Sequence, residues 1–102
     1  MMSTYSAFIG DASIPRLGTL QIEEIESGYR ISGQVGGDFE KLEMLRSLGG
    51  IRRGQVQKAK FVTKTGLLVN DTFEIAESRF DEEKLPDRRL LVFTILLKQK
   101  SS

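Results

Sequence analysis

The run Leu90-Leu91-Val92-Phe93-Thr94-Ile95-Leu96-Leu97 sets the tightest limit on how this chain folds. As a strand it points Leu91, Phe93, Ile95 and Leu97 to one side and Leu90, Val92 and Leu96 to the other. A surface strand alternates apolar and polar residues, whereas a run apolar on both sides must be covered on both. One small helix covers one side at most. The other needs a second sheet, a barrel interior or another protein chain, because a bare two-sided run is an aggregation hazard. The run is far too short to span a bilayer and contains Thr94, so no membrane association is expected.

The rest of the chain reads as short strands around one helix. Tyr5 to Ile9 alternates weakly, and Gly10 to Arg16 reads as loop, with Pro15 restricting the backbone. Residues 1–18 are therefore expected to be an N-terminal strand or arm, and residues 19–102 one β-rich domain. Thr19 to Glu26 and Tyr29 to Val35 alternate on either side of Ser27-Gly28, which predicts a β-hairpin. Ile25 breaks the phase and points to a bulge near Glu24. Gly36-Gly37 ends the second strand. Asp38 is a good N-cap, and Phe39, Leu42, Leu45 and Leu48, with Met44 beside them, form an apolar stripe up to Gly49-Gly50. That spacing predicts a helix over about 38–48, ended by a left-handed glycine and lying on a sheet, since so short a helix is unstable alone. Gln55 to Lys64 reads as a strand and Thr65-Gly66 as a turn. Leu67 to Val69 starts a return strand, Thr72 to Phe80 alternates, and Asp81 to Arg89 reads as a charged connection carrying Pro86. The fold expected is mainly β with one short helix (α+β), a β-sandwich or split β-barrel with the helix on its flank.

A chain of 102 residues is one domain by the usual size range, and its composition is globular. It has no cysteine and no histidine. Disulfide frameworks, thiolate metal sites and Ser-His or Cys-His machinery are thereby excluded, and synthesis in a reducing cytoplasm is expected. No signal peptide is legible in Met1 to Ser13. There is no phosphate-binding loop. Gly33-Gln34-Val35-Gly36-Gly37-Asp38 does join a strand to a helix start, but Asp38 would repel a phosphate there. The carboxylate groups Glu23-Glu24-Glu26 and Asp81-Glu82-Glu83 read as solvated charge runs rather than acid–base pairs. No catalytic residue, metal ligand or cofactor site is expected, and the chain is not expected to be an enzyme.

Net charge is +1, too small for strong whole-protein attraction to nucleic acid. The halves differ: residues 1–50 hold 4 basic and 7 acidic residues, and residues 51–102 hold 11 and 7. Opposite-sign faces of that kind suit head-to-tail stacking on copies of the same chain or on a neighbouring ring; the simpler reading is that two small imbalances cancel. Arg52, Arg53, Lys58, Lys60 and Lys64 form a candidate basic patch for DNA or RNA. Alternation points Phe61 away from the lysines, leaving no aromatic for base stacking. The plainer reading is that lysines keep an outer strand from pairing wrongly.

Four segments carry a resemblance to a family: Ile31-Ser32-Gly33-Gln34-Val35, Leu45-Arg46-Ser47-Leu48, Phe61-Val62-Thr63-Lys64-Thr65-Gly66 and Phe93-Thr94-Ile95-Leu96-Leu97. Over residues 19–98 their order resembles the small tail and baseplate proteins of tailed bacteriophages and related contractile machines, of the tail protein U type or the N-terminal domain of distal tail proteins. The chain departs from that pattern in being short and in its charged residues 80–89. The resemblance implies a virion structural protein, made in the host cytoplasm and placed in the tail. It implies a ring, commonly hexameric, formed by protein–protein contacts with itself and with other tail or baseplate proteins. On that view Phe8, Ile9 and Ile14 of the N-terminal arm, and Leu85, Arg88 and Arg89 of the charged connection, are the expected subunit contacts. Two other classes stand beside it: a small nucleic-acid-binding β-barrel, and a small regulatory protein that docks on an enzyme.

Overall fold

The alternating runs pair into one antiparallel sheet of seven strands in the computed structural model, which describes residues 5–15 and 19–100. In chain order the elements are β1 (Tyr5–Ile9), β2 (Ala12–Pro15), β3 (Gln21–Ile25), β4 (Gly28–Val35), α1 (Asp38–Leu48), β5 (Val56–Val62), β6 (Leu68–Lys84) and β7 (Arg89–Gln99). The spatial order is β2-β1-β5-β6-β7-β4-β3. The chain is thus mainly β with one short helix.

The sheet is rolled. In a flat sheet β5 and β4, three strand spacings apart, would lie about 14 Å from each other. Instead the rings of Tyr29 on β4 and Phe61 on β5 meet edge to face at 5.1 Å. Past β4, the edge strand β3 comes round to the end of β5, where the Lys64 N–H donates to the Ile22 carbonyl at 3.2 Å. Five strands, β5-β6-β7-β4-β3, therefore enclose most of the core, and the β1–β2 hairpin continues the sheet beyond β5. The two stacked sheets of a β-sandwich, one of the architectures expected, are not formed among the described residues: the strands make one continuous open sheet.

Rolling answers half of the covering problem posed by β7. Phe93, Ile95 and Leu97 are buried on the concave side with Ile31, Tyr29, Phe61, Phe73 and Ile75. The opposite wall of the roll covers them, whereas α1 packs against β2.

A β-bulge in β6 keeps the roll in phase. Phe73 and Ile75 face inward, and the register then shifts between Ile75 and Glu77, leaving Ala76 as the extra residue. After the shift Ser78 and Phe80 are the inward residues, opposite Ile95 and Phe93. Without it Glu77 would point into the core, because a slip of one residue exchanges the two faces.

Several expectations are corrected. β3 pairs with β4 without interruption from Gln21 to Ile25, so there is no bulge at Glu24; Ile25 ends the strand opposite Gly28. Asp38 is the first helical residue rather than the cap: Gly37 holds the N-cap position, and no side chain caps it. Gly49 closes α1 in right-handed geometry (φ −64°), its N–H donating to the Leu45 carbonyl, so the left-handed stop is absent. The separate strands expected after Thr65-Gly66 are one 17-residue strand that also takes in Asp81 to Lys84. Only Leu85 to Arg88 remain as the connection, closed by the Leu85 N–H donating to the Arg88 carbonyl at 2.7 Å.

Gly28 shows how closely the backbones approach. A Cβ at this position would fall on the carbonyl oxygen of Leu97. β7 is held by ladders on both sides and cannot move away. Gly28→Ala is expected to destabilise the fold by on the order of 3 kcal/mol, the upper end for overpacking. A urea midpoint unchanged from the parent would refute that reading.

Candidate interaction surfaces

Alternation fixes what the convex outer face of the sheet presents. β5 contributes Val56, Lys58, Lys60 and Val62, and the first half of β6 contributes Leu68, Asn70, Thr72 and Glu74 opposite them. Val62 (51% exposed) pairs with Leu68 (62% exposed), and Lys60 pairs with Asn70. The β5–β6 turn that carries this face is tied by its own hydrogen bonds. Thr63 is buried, its Oγ1 accepts from the Leu67 N–H at 3.1 Å, and its N–H donates to the Leu67 carbonyl at 2.8 Å. Gly66 takes φ +92°, a conformation that favours glycine. Lys58, Lys60 and Lys64 form no ion pair among the described residues.

Past Ile75, β6 runs beyond the end of β5 and pairs with β7 alone. This part of the β6–β7 hairpin is thus free of the sheet on the β5 side, while β7 stays paired with β4 as far as Leu91. On its outer face Glu77, Arg79, Asp81 and Glu83 of β6 lie opposite Leu96, Thr94, Val92 and Leu90 of β7. An acidic column runs beside an apolar one. Arg79 pairs with Glu77 at 3.3 Å and with Asp81 at 3.2 Å, while Glu83 has no ion pair among the described residues. Leu90, Val92 and Leu96 are half-buried by their neighbours in the sheet, and no second sheet lies over them among the described residues.

The helix has a third surface. Met44 and Leu48 are buried, but Phe39 is 71% exposed, Leu42 54% and Leu45 45%. The stripe expected to face the sheet is therefore split, and most of it points outward.

The residues expected at contacts divide in the same way. Within the β1–β2 hairpin Ile9 and Ile14 are fully buried core residues, so they are not available to a partner. Their neighbours explain it: Ile9 pairs with Ala59 and Ile14 with Ala7, all on the concave side. Residues 5–15 are integral to the sheet rather than a separate arm, and residues 1–4 and 16–18 lie outside the described residues. Phe8 points outward, 40% exposed, directly opposite Lys60. Leu85 is half-buried, and Arg88 and Arg89 are exposed at the hairpin tip, where Arg89 pairs with Glu82 at 3.5 Å.

The basic residues do not form one compact patch. Lys58 and Lys60 share the outer face of β5, and Lys64 lies in the turn past its far end. Arg52 and Arg53 are exposed in the loop before β5, which Gln55 organises by accepting from the Arg52 N–H at 3.0 Å and donating to the Gly50 carbonyl at 3.1 Å. Alternation within β5 gives the lysines no aromatic neighbour, and the fold supplies Phe8 from another strand. Pairing between β1 and β5 is invisible in either strand's own alternation, so no local signal marks it.

Among the described residues no group of three or more histidine, cysteine, aspartate or glutamate side chains is placed to hold a metal ion. No helix among them is long and apolar enough to cross a membrane. An open crevice of about 410 Å³ lies between β1–β2, the end of α1 and β5, lined by residues that include Asp11, Arg46 and Gln57. Comparison with protein-family models, curated proteins and solved structures finds no match to this chain.

Proposed function

We propose that this protein is a structural subunit that assembles into a ring by protein–protein contacts, in a phage tail or baseplate or a related contractile machine. The observation that carries the reading is the outer side of β7, where Leu90, Val92 and Leu96 form an apolar column with no second layer over it among the described residues. Covering that column on association removes apolar surface from water, the main favourable term in most protein–protein association. The outward stripe of α1 adds more apolar surface of the same kind, and four segments resembling tail proteins agree with it. Copies of the chain and other tail proteins are the partners, and the virion tail is the destination after synthesis in the host cytoplasm.

Sedimentation velocity and native mass spectrometry of the purified chain test this. The expected result is a discrete closed oligomer, six copies in the form the resemblance implies. A strict monomer up to the solubility limit that also joins no tail protein would sink the reading.

A second reading, a nucleic-acid-binding β-barrel, is favoured by Phe8 standing opposite Lys60 on the face that carries Lys58. A stacking ring beside cations is what single-strand binders use. If it holds, changing Lys58, Lys60 and Lys64 to Ala weakens binding of a single strand. The slope of log K against log salt falls by about 0.7 for each phosphate no longer neutralised. Absence of binding by the parent chain at low salt removes it.

A further inference from the structure

We infer that copies of this chain join head to tail, the outer face of the β5–β6 hairpin of one copy packing on the outer face of the β6–β7 extension of the next. The inference rests on the assembly reading above and names the two surfaces that make its contact. The first surface sets Lys58 and Lys60, which form no ion pair among the described residues, beside exposed Val62 and Leu68. The second sets Asp81 and Glu83 beside half-buried Val92 and Leu90. On the first face Val62 and Leu68 lie at one end, the lysines next to them and Glu74 at the far end. On the second Glu77, Asp81 and Glu83, with Arg79 among them, run beside Val92 and Leu90, so the net charges of the two faces are opposite.

Opposite charge decides the mode of association. A two-fold contact of the hairpin face with itself would set lysines against lysines, and one of the extension with itself would set carboxylates against carboxylates. Only the unlike pair is complementary, and like-charge juxtaposition is what excludes wrong partners. A contact between two different patches of the same chain leaves one of each free on every pair, so it propagates and closes into a ring if the rotation allows. Two sheet faces packed in this way lie about 10 Å apart, with side chains from both filling the space. The extension is suited to this because it stands past the end of β5, clear of its own sheet on that side. The second copy would also supply the missing layer over the outer column of β7.

The test is charge reversal in the full chain. Lys58→Glu with Lys60→Glu, and separately Asp81→Lys with Glu83→Lys, are each expected to raise the concentration of half-assembly at least tenfold. All four positions are exposed, and circular dichroism checks that each variant folds. The milder pair Lys58→Gln with Lys60→Gln serves if a reversal does not. The fourfold variant is expected to recover assembly. In an equimolar mixture of the two double variants both contacts between unlike variants are complementary, the unaltered lysine face on the unaltered acidic extension and the reversed pair, while contacts between like variants repel. The mixture is expected to recover assembly with the two variants alternating, whereas each variant alone does not. If the parent chain assembles and neither reversal changes it, the inference falls while the assembly reading stands. Loss of nucleic-acid binding with assembly intact has the same consequence and gives the lysine face to nucleic acid. A parent chain that is strictly monomeric overturns the inference, and one that also joins no tail protein overturns the assembly reading with it.

Discussion

Replacing Phe73 by Ala is expected to lower the unfolding free energy by about 3–5 kcal/mol, the range for deleting a fully buried aromatic ring. Phe73 is fully enclosed, edge-on to Tyr29 at 5.7 Å and 35° from the plane of Phe61 at 6.1 Å. These rings come from β4, β5 and β6, on both walls of the roll, so the hole left by Phe73 would lie where the walls meet. Collapse around it is restricted, because β6 is bonded to β5 on one side and to β7 on the other at this position. Both parts of the penalty therefore apply, the forfeited transfer energy and the residual cavity. Urea unfolding with an unchanged slope is the measurement. A loss below about 1 kcal/mol would mean that the aromatic trio does not hold the roll together.

The second large effect separates the two sides of α1. Leu48→Ala and Met44→Ala are each expected to cost about 2–5 kcal/mol, since both side chains are fully buried. Leu42→Ala and Leu45→Ala, on the outward stripe, are expected to stay within about 0.5 kcal/mol in the monomer, as surface changes do. Thermal or urea denaturation of the four variants gives the contrast directly. Equal losses at Leu45 and Leu48 would show that the helix lies on the sheet by the whole stripe, as its spacing alone suggests. Because monomer stability and assembly are separate readouts, a Leu42 or Leu45 variant that folds normally but assembles less well would mark the stripe as a contact.

Much of the architecture is legible along the chain. The β3–β4 hairpin, the helix over 38–48, the β5 strand and the β5–β6 turn follow from alternation, three-residue spacing and Gly-containing turns, which act within a few residues. The charged stretch 81–89 misleads, because polar residues read as loop when a strand extends past its sheet and has water on both faces. The 17-residue length of β6 is hidden for a related reason: its bulge at Ala76 breaks the alternation that would otherwise mark one strand. Helix orientation is hidden as well. Spacing places Phe39, Leu42, Leu45 and Leu48 together, but which edge of that stripe meets β2 depends on where β2 is.

By itself the sequence determined that this chain is β-rich with one helix, lacks histidine and cysteine chemistry, and carries a strand that is apolar on both sides. Those properties are local, set by side-chain type and by the two- and 3.6-residue periods. Only the tertiary structure decided that the sheet rolls on itself, that the inner side of Leu90–Leu97 is covered by the far wall rather than by the helix, and that Phe8 joins Lys60 on the outer face. These are pairings between residues far apart in the chain. Strand order and curvature decide them, through backbone ladders that use the same hydrogen bonds whatever the side chains.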